Sequence, residues 1–202
     1  MYPQLYIQSF VRLKEIYLNA NSTEHDNSIS NISLEKCTEL FKSLNINYPK
    51  FFKMDLMSKW GFVATEILLK NVAHEDINPF QKVIILSNTS SSLQTDILFQ
   101  KTIIEIASPT LFVYTLPNIV AGEIAIRHFF KGENTFFIKE KFPPKLLYQQ
   151  TAQLFKEGKA QLAICGYLEV NTRFHDILLC LVSCQKSDNK FDDEQLEQLY
   201  NK

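Results

Sequence analysis

From residue 83 onward, short apolar runs alternate with segments of helical periodicity, and this alternation restricts the fold more than any other feature of the chain. The apolar runs at residues 83–87, 135–138, 161–165 and 176–184 are predicted strands. Helical stretches and loop residues separate them, which is typical of an α/β layer architecture. We therefore expect a mixed central sheet with helices on its faces.

The first eighty residues add one strand and two helices to this pattern. A strand is predicted at residues 5–17, followed by a polar loop at residues 19–31 that is rich in asparagine and serine. A helix is predicted at residues 34–44, with Ser33 as its N-cap. The apolar spacing within residues 55–70 predicts a second helix, which Asp55 or Ser58 could cap.

Proline and glycine mark most of the later boundaries. Residues 93–105 are a predicted helix, and a further helix has Pro117 near its first position and stops before Gly132, a suitable C-terminal glycine. Another helix follows the pair at residues 143–144, and Gly166 is expected to start a turn.

Length and charge are those of an ordinary single-domain protein. With 202 residues and a formal net charge of −1, it fits one domain, residues 1–188, with a charged tail at residues 189–202. The charge predicts no binding of nucleic acid or of an anionic membrane surface. No apolar run reaches the length of about 18 residues that a membrane helix needs, and the first residues lack the basic head of a signal peptide. We expect a soluble cytoplasmic protein.

The residue types that carry chemistry do not form a recognisable site. The chain has four cysteines, Cys37, Cys165, Cys180 and Cys184, and none of them forms a C-x-x-C pair. Buried free thiols are the expectation, and neither a metal nor a cofactor is predicted. The serine-rich loop at residues 87–92 lacks the glycine pattern of a phosphate-binding loop.

Four segments, in the same order and at similar spacing, resemble the amino-terminal half of the β-ketoacyl synthases. Residues 108–126 are similar to the family pattern S-P-x8-N-x-x-A-G-x-x-(S/T/A)-I, and the Lys-Gly pair at 131–132 resembles the family's Arg-Gly. Residues 157–169 are similar to G-x-A-D-x4-G-G-x-E, and residues 54–57 to a helix opening M-D-x-x. The resemblance implies a thiolase-like half-domain.

The resemblance also implies that the nucleophile is missing. In the family the nucleophilic cysteine lies nine residues after the glycine of the Arg-Gly pair, just before a helix. Counting from Gly132 leads to Lys141. Condensation needs a thiolate to accept the acyl chain, so no catalytic residue is predicted. A Schiff-base role for Lys141 would require a desolvated pocket; with charged neighbours, we interpret it as part of a solvated turn.

The resemblance further predicts how the protein associates. In the family, the strand before the nucleophile pairs with its copy in another subunit. The equivalent strand here contains Thr135, Phe136, Phe137 and Ile138, and an uncovered edge of this kind invites pairing. We predict an interface formed by these residues together with Asn118 and Gly122, in a homodimer or in a heterodimer with a β-ketoacyl synthase.

Three functions remain open at this point. The favoured one is a non-catalytic subunit in fatty-acid, polyketide or aryl-polyene-type biosynthesis, which pairs with an active synthase or with an acyl carrier protein. The second is an acyltransferase or condensing enzyme whose site is completed by a partner chain. The third is a self-associating structural protein without acyl chemistry.

Overall fold

The structure, a computed structural model, describes residues 2–16, 27–104 and 106–202. One mixed sheet runs through this part of the chain, as predicted. Its strands are β1 (Tyr6–Ile16), β2 (Lys82–Asn88), β3 (Asn134–Ile138), β4 (Leu162–Val170) and β5 (Phe174–Ser183). Their order is β1-β5-β4-β2-β3. β2 is parallel to both β3 and β4, whereas β5 is antiparallel to both β4 and β1.

Helices cover both faces of the sheet. They are α1 (Asn27–Ser43), α2 (Leu56–Leu69), α3 (Leu93–Thr102), α4 (Pro109–Val113), α5 (Ile119–His128), α6 (Pro144–Lys156) and α7 (Asp193–Tyr200). Short 3-10 turns precede α2 and β2, at Pro49–Lys53 and Pro79–Gln81.

Each face of the sheet has its own apolar core, because successive strand residues point to opposite sides. The first core lies under α1, α2 and α5, and Ile84, Ile164 and Leu179 belong to it. The second lies under α6 and α7, and it contains Ile85 and Ala163. Every residue of β2 and β4 is buried, as expected for central strands covered on both faces.

The sequence predicted an N-cap for each of the first two helices, and the structure confirms only one of them. Asp55 caps α2, because its Oδ1 accepts a hydrogen bond of 2.9 Å from the backbone N–H of Ser58, as predicted. Ser33 is not a cap: α1 begins at Asn27, and Ser33 is buried within the helix, where it accepts a bond of 3.1 Å from Trp60 Nε1. Residues 19–26 of the predicted loop lie outside the described residues.

Two glycines have roles other than those predicted. Helix α5 ends at His128, and the next residue, Phe129, itself adopts the left-handed conformation (φ 58°), so Gly132 does not terminate the helix. A Cβ at Gly132 would lie 2.7 Å from the carbonyl oxygen of Lys82, so glycine lets the chain pass close to β2. Gly166 starts no turn but lies within β4, where a Cβ would lie 2.0 Å from the oxygen of Leu178.

The last residues of the chain pack against the sheet. α7 places Leu196 and Leu199 in the second core, and Phe191 joins them there. The segment expected to be a charged tail therefore contributes apolar residues to the interior. No helix in the described part of the chain is both long enough and apolar enough to cross a membrane.

Candidate functional site

Lys141, which the resemblance aligns with the family nucleophile, lies in the turn between β3 and α6. Its side chain is exposed, as are those of Lys139 and Glu140. The residue before α6 is Pro143, whose side chain makes no capping hydrogen bond. The desolvated environment that a Schiff-base lysine requires is not present at this position.

A cleft of about 600 Å³ opens beside this turn. It lies at the carboxyl ends of the parallel strands β2 and β4. Ligands commonly bind at this end of open α/β sheets. Aromatic and acidic side chains dominate the cleft: Phe142, Tyr167, Phe174 and Tyr200 on the one hand, Glu140, Glu169, Asp176 and Glu197 on the other. Lys141 is also a lining residue, and the residues that line the cleft include no cysteine or histidine.

The chain's own donors bind the buried carboxylate of this cleft. Glu169 Oε2 accepts hydrogen bonds of 2.7 and 3.0 Å from the backbone N–H groups of Thr89 and Ser90. Thr89 Oγ1 in turn shares a hydrogen bond of 2.6 Å with the hydroxyl of Tyr167. Glu169 therefore holds the loop that follows β2 in place.

The end of α7 closes the other side of the cleft. Tyr200 donates a hydrogen bond of 2.8 Å to Asp176, and the carboxylate of Asp176 also pairs with Arg12. The ring of Tyr200 stacks on Phe142 at a centroid distance of 4.2 Å and lies beneath the Arg12 guanidinium at 4.7 Å. Burial, and then the hydrogen bond to Asp176, raise the pKa of Tyr200 above its ordinary value. The cleft thus has internal polar bonds but no nucleophile–base pair.

The cysteines lie away from the cleft. Cys37, Cys165 and Cys180 are buried, as predicted, and burial raises the pKa of Cys37 and of Cys165 to about 12. Cys184 is exposed, so the prediction of a buried thiol was wrong there. It follows the last residue of β5, which pairs with Leu162 at the amino end of β4, opposite to the cleft. In the described residues, no group of three histidine, cysteine or acidic side chains is placed to bind a metal ion.

The predicted interface residues lie on two neighbouring elements. Thr135, Phe136, Phe137 and Ile138 belong to β3, which is an edge strand of the sheet. α5 contacts β3; Asn118 directly precedes α5, and Gly122 lies at the end of its first turn. The side chain of Asn118 makes no cap hydrogen bond, and a Cβ at Gly122 would meet no atom within 4 Å. This face of α5 is therefore open.

The structure also has an exposed apolar segment that was not predicted from the sequence. Residues 93–116, which we call the apolar arm, include α3 and α4, and in α3 only Thr95 is buried. Ser92, which directly precedes the arm, donates a hydrogen bond to the carbonyl of Thr115 near the arm's other end. Within the arm, the rings of Phe99 and Phe112 pack with their centroids 5.5 Å apart. Its exposed apolar residues are Leu93, Ile97, Leu98, Ile103, Ile104, Ile106, Phe112, Val113 and Leu116. Apolar spacing alone could not reveal this surface, because the spacing is the same whether an apolar helix face is buried or exposed.

Comparisons of sequence and of structure give different results. No protein-family model matches the chain, and no curated protein matches it by sequence. By structure it is similar to a chain of "AntDE:AntF (apo): type II PKS acyl-carrier protein in complex with its ketosynthase bound to the hexaketide", with a TM-score of 0.63 and 13% identity. It is also similar to "The ishigamide ketosynthase/chain length factor", with a TM-score of 0.55 and 18% identity.

A third structure matches over a more similar length. It is the ketosynthase ApeO in complex with its chain length factor ApeC from Xenorhabdus doucetiae, with a TM-score of 0.56 and 11% identity. The match covers 96% of this chain and 90% of that one. The other two matches cover 91% and 68% of this chain but only 63% and 46% of theirs, less than two thirds of their length. The protein thus has the thiolase-like α/β fold of the ketosynthases.

Proposed function

We propose that the chain is a ketosynthase-like subunit with no catalytic role of its own, which pairs with an active β-ketoacyl synthase. It would serve acyl-chain assembly of the fatty-acid, polyketide or aryl-polyene type. The observation that carries the proposal is the location of the exposed apolar side chains. Most of them in the described chain belong to residues 93–116, to α5 and to the end of β3, whereas the turn that the resemblance aligns with the family nucleophile is charged.

The apolar surface has a consistent position in the fold. Ile138, half exposed at the end of β3, pairs with Asn88, the last residue of the strand from which the apolar arm follows. Ile126 and Phe129 are exposed on α5, the helix that contacts β3. Together with the arm, these residues form what we call the pairing surface. Large exposed apolar surfaces on a soluble domain usually mark protein interfaces.

The helix layer on the other face of the sheet, α6 and α7, exposes polar rather than apolar side chains. The exposed residues of α6 are polar: Lys145, Gln149, Gln150 and Lys156. None of the exposed large apolar side chains in the described chain belongs to α6 or α7. A partner that covers apolar surface would therefore approach from the side of β3 and α5 and leave α6 in water.

The structural neighbours supply the class of partner. Two of them contain a ketosynthase with its chain length factor, and one contains an acyl-carrier protein with its ketosynthase. A synthase that retains its cysteine is the partner that we infer for this chain, and the acyl carrier protein would then bind to the assembled pair.

Co-expression with a β-ketoacyl synthase from the same genome tests the proposal. We expect an equimolar complex in size-exclusion chromatography with light scattering, and acyl groups only on the synthase cysteine. Ile126→Lys should break the complex, because it places a charge in an apolar interface. Gln149→Lys, which adds the same charge on α6, should leave the complex intact.

The alternatives give other outcomes in the same experiment. Saturable acylation of this chain within the complex would support an acyltransferase or condensing enzyme whose site the partner completes. Self-association with no binding of the synthase and no effect on condensation would support a structural protein. Equal behaviour of Ile126→Lys and Gln149→Lys would contradict the pairing surface.

A further inference from the structure

Two of the buried cysteines face each other across neighbouring strands. Cys165 of β4 pairs directly with Cys180 of β5 in the antiparallel register, as do Ala163 with Val182 and Tyr167 with Leu178. All six side chains belong to the second core, so both thiols point to the same face of the sheet. Neither cysteine is exposed to solvent.

Directly opposite positions of this kind lie within reach of a disulfide. Paired Cα atoms in an antiparallel sheet lie about 4.5–5.5 Å apart, inside the range of about 4.4–6.8 Å found across disulfides. Cβ atoms of opposite residues lie about 4.5–5.5 Å apart, so bridging needs an approach of at most about 1 Å. Gly166 shows that the strands come close here, since a Cβ on it would lie 2.9 Å from the Cα of Leu179.

The other two cysteines do not compete for this geometry. Cys37 belongs to α1 and to the first core, on the opposite face of the sheet. Cys184 lies beyond the end of β5 and is exposed. The fold therefore selects one pairing among the four thiols.

We propose that Cys165 and Cys180 are a cross-strand disulfide site, oxidised by a small-molecule disulfide such as oxidised glutathione while the chain folds. One cysteine thiolate attacks the glutathione disulfide, forming a mixed disulfide and releasing one glutathione thiolate. The second cysteine thiolate then attacks the protein sulfur of that mixed disulfide and releases the second glutathione. The two protein thiols lose two protons and two electrons, and one oxidised glutathione becomes two reduced molecules.

The burial of the pair determines when this reaction occurs. Burial raises the pKa of both thiols, so the native protein contains almost no thiolate at this site. Cys165 Sγ also lies 3.8 Å from the carbonyl oxygen of Leu147 in α6, which covers it. The folded, reduced chain should therefore resist oxidation, and the bond should form when the strands pair before α6 closes over them.

The test compares reduced and oxidised refolding. The full chain is unfolded in denaturant with reductant and then refolded with either reduced or oxidised glutathione. We expect the oxidised product to lose the mass of two hydrogen atoms and two titratable thiols, with one linked peptide pair that contains Cys165 and Cys180. We also expect its denaturation midpoint to rise above that of the reduced product.

Single substitutions identify the pair. Cys184→Ser should retain the bond, whereas Cys180→Ala should abolish both the mass loss and the gain in midpoint. A second experiment avoids refolding: the native chain is incubated with oxidised glutathione at a denaturant concentration just below its unfolding midpoint. Its disulfides are then mapped in the same way. A product linked through Cys37 or Cys184, or four free thiols in both experiments, would overturn the proposal.

Discussion

Lys141 is the residue that the sequence resemblance aligns with the nucleophile of a condensing enzyme. It is exposed, and the cleft beside it contains no thiol or imidazole to accept an acyl group. We therefore predict no saturable acylation of this chain when it is incubated alone with acyl groups carried as thioesters on an acyl carrier protein. Intact mass measurement provides the test, and a single acylated residue that saturates would show the prediction to be wrong.

A Lys141→Cys variant is the matched control for that experiment. It places a thiol at the position that the resemblance aligns with the family nucleophile, without altering a buried side chain. If only this variant becomes acylated, the missing thiol accounts for the inertness of the natural chain. If it stays unmodified as well, the cleft also lacks the groups that activate a thiol.

His128 should make the stability depend on pH. Its side chain is largely buried, and burial, together with the charges of Arg127, His74 and Lys82, lowers its pKa to about 4. Glu66 lies 3.5 Å away, but its carboxylate also binds Arg127 at 2.7 Å, so it offers the imidazolium little compensation. An unfolded histidine titrates near pH 6.5, so only the unfolded chain takes up this proton as the pH falls below that value.

The folded state should therefore lose about 2 kcal/mol between pH 7 and pH 5 through this one group, with the remaining loss as the pH approaches 4. The pKa values of His74 and His175 are lowered too. The contribution of His128 is therefore measured as the difference between the natural chain and a variant that lacks this histidine. Denaturant midpoints of the natural chain and of His128→Gln are compared at both pH values. An equal fall in the two proteins would contradict this role for His128.

At the level of the elements, the central strands should carry much of the stability. Ile85 of β2 and Ile164 of β4 are almost completely buried, in the second and the first core respectively. Substituting either by alanine should cost about 2–5 kcal/mol of unfolding free energy. Gln149→Ala, at an exposed residue of α6 outside the pairing surface, is the control and should change the stability by less than about 0.5 kcal/mol. Small effects at residues 85 and 164 would refute the central position of their strands.

Two helix glycines should respond in opposite ways to the same added methyl group. In α5, Gly122 has open space, so Gly122→Ala should stabilise the monomer by about 0.5–1 kcal/mol through helix propensity. In α2, a Cβ at Gly61 would lie 2.4 Å from Val120 Cγ2, so Gly61→Ala should destabilise by about 1–3 kcal/mol. Thermal unfolding of both variants measures the difference, and a loss of stability in Gly122→Ala would show that this face of α5 is not open.

The helices and strands also show which local sequence signals were sufficient to predict structure. The apolar runs of β2 and β5 and the helical spacing of α2 predicted their elements within about two residues, because both depend on neighbours along the chain. Ser33, Gly132 and Gly166 were misinterpreted, because each responds to a distant segment: Trp60, the start of β2 and β5, respectively. A cap, a helix stop and a turn are local explanations for residues whose roles here are tertiary.

The candidate site was predictable only in part for the same reason. The position of Lys141 followed from the spacing after Gly132 and from family resemblance. The cleft beside it unites residues from the loop after β2, from β4 and from the last turn of the chain, and no motif connects Glu169 with Tyr200. Pairing of β4 with β5 places Glu169 opposite Asp176, as it places Cys165 opposite Cys180, and Asp176 in turn accepts the hydrogen bond of Tyr200.

For the whole molecule, the uneven distribution of apolar surface predicts association. The pairing surface involves β3, α5 and the apolar arm but neither α6 nor α7, and Gly122 would allow a second backbone to approach α5 closely. We therefore predict a homodimer when the chain is isolated without a synthase, with β3 and α5 at the contact. Phe136, although part of β3, also packs against the first core, so Ile126 is the cleaner position for a test.

Ile126→Lys should raise the dissociation constant of that dimer at least about tenfold, which corresponds to about 1.4 kcal/mol. Its helical circular dichroism should stay unchanged, because the side chain points into solvent in the monomer. Gln149→Lys is the matched control on α6 and should dimerise as the natural chain does. Light scattering over a wide range of concentrations measures all three proteins. A natural chain that stays monomeric at the highest concentration, with both variants identical to it, would remove the support for homodimerisation through this surface.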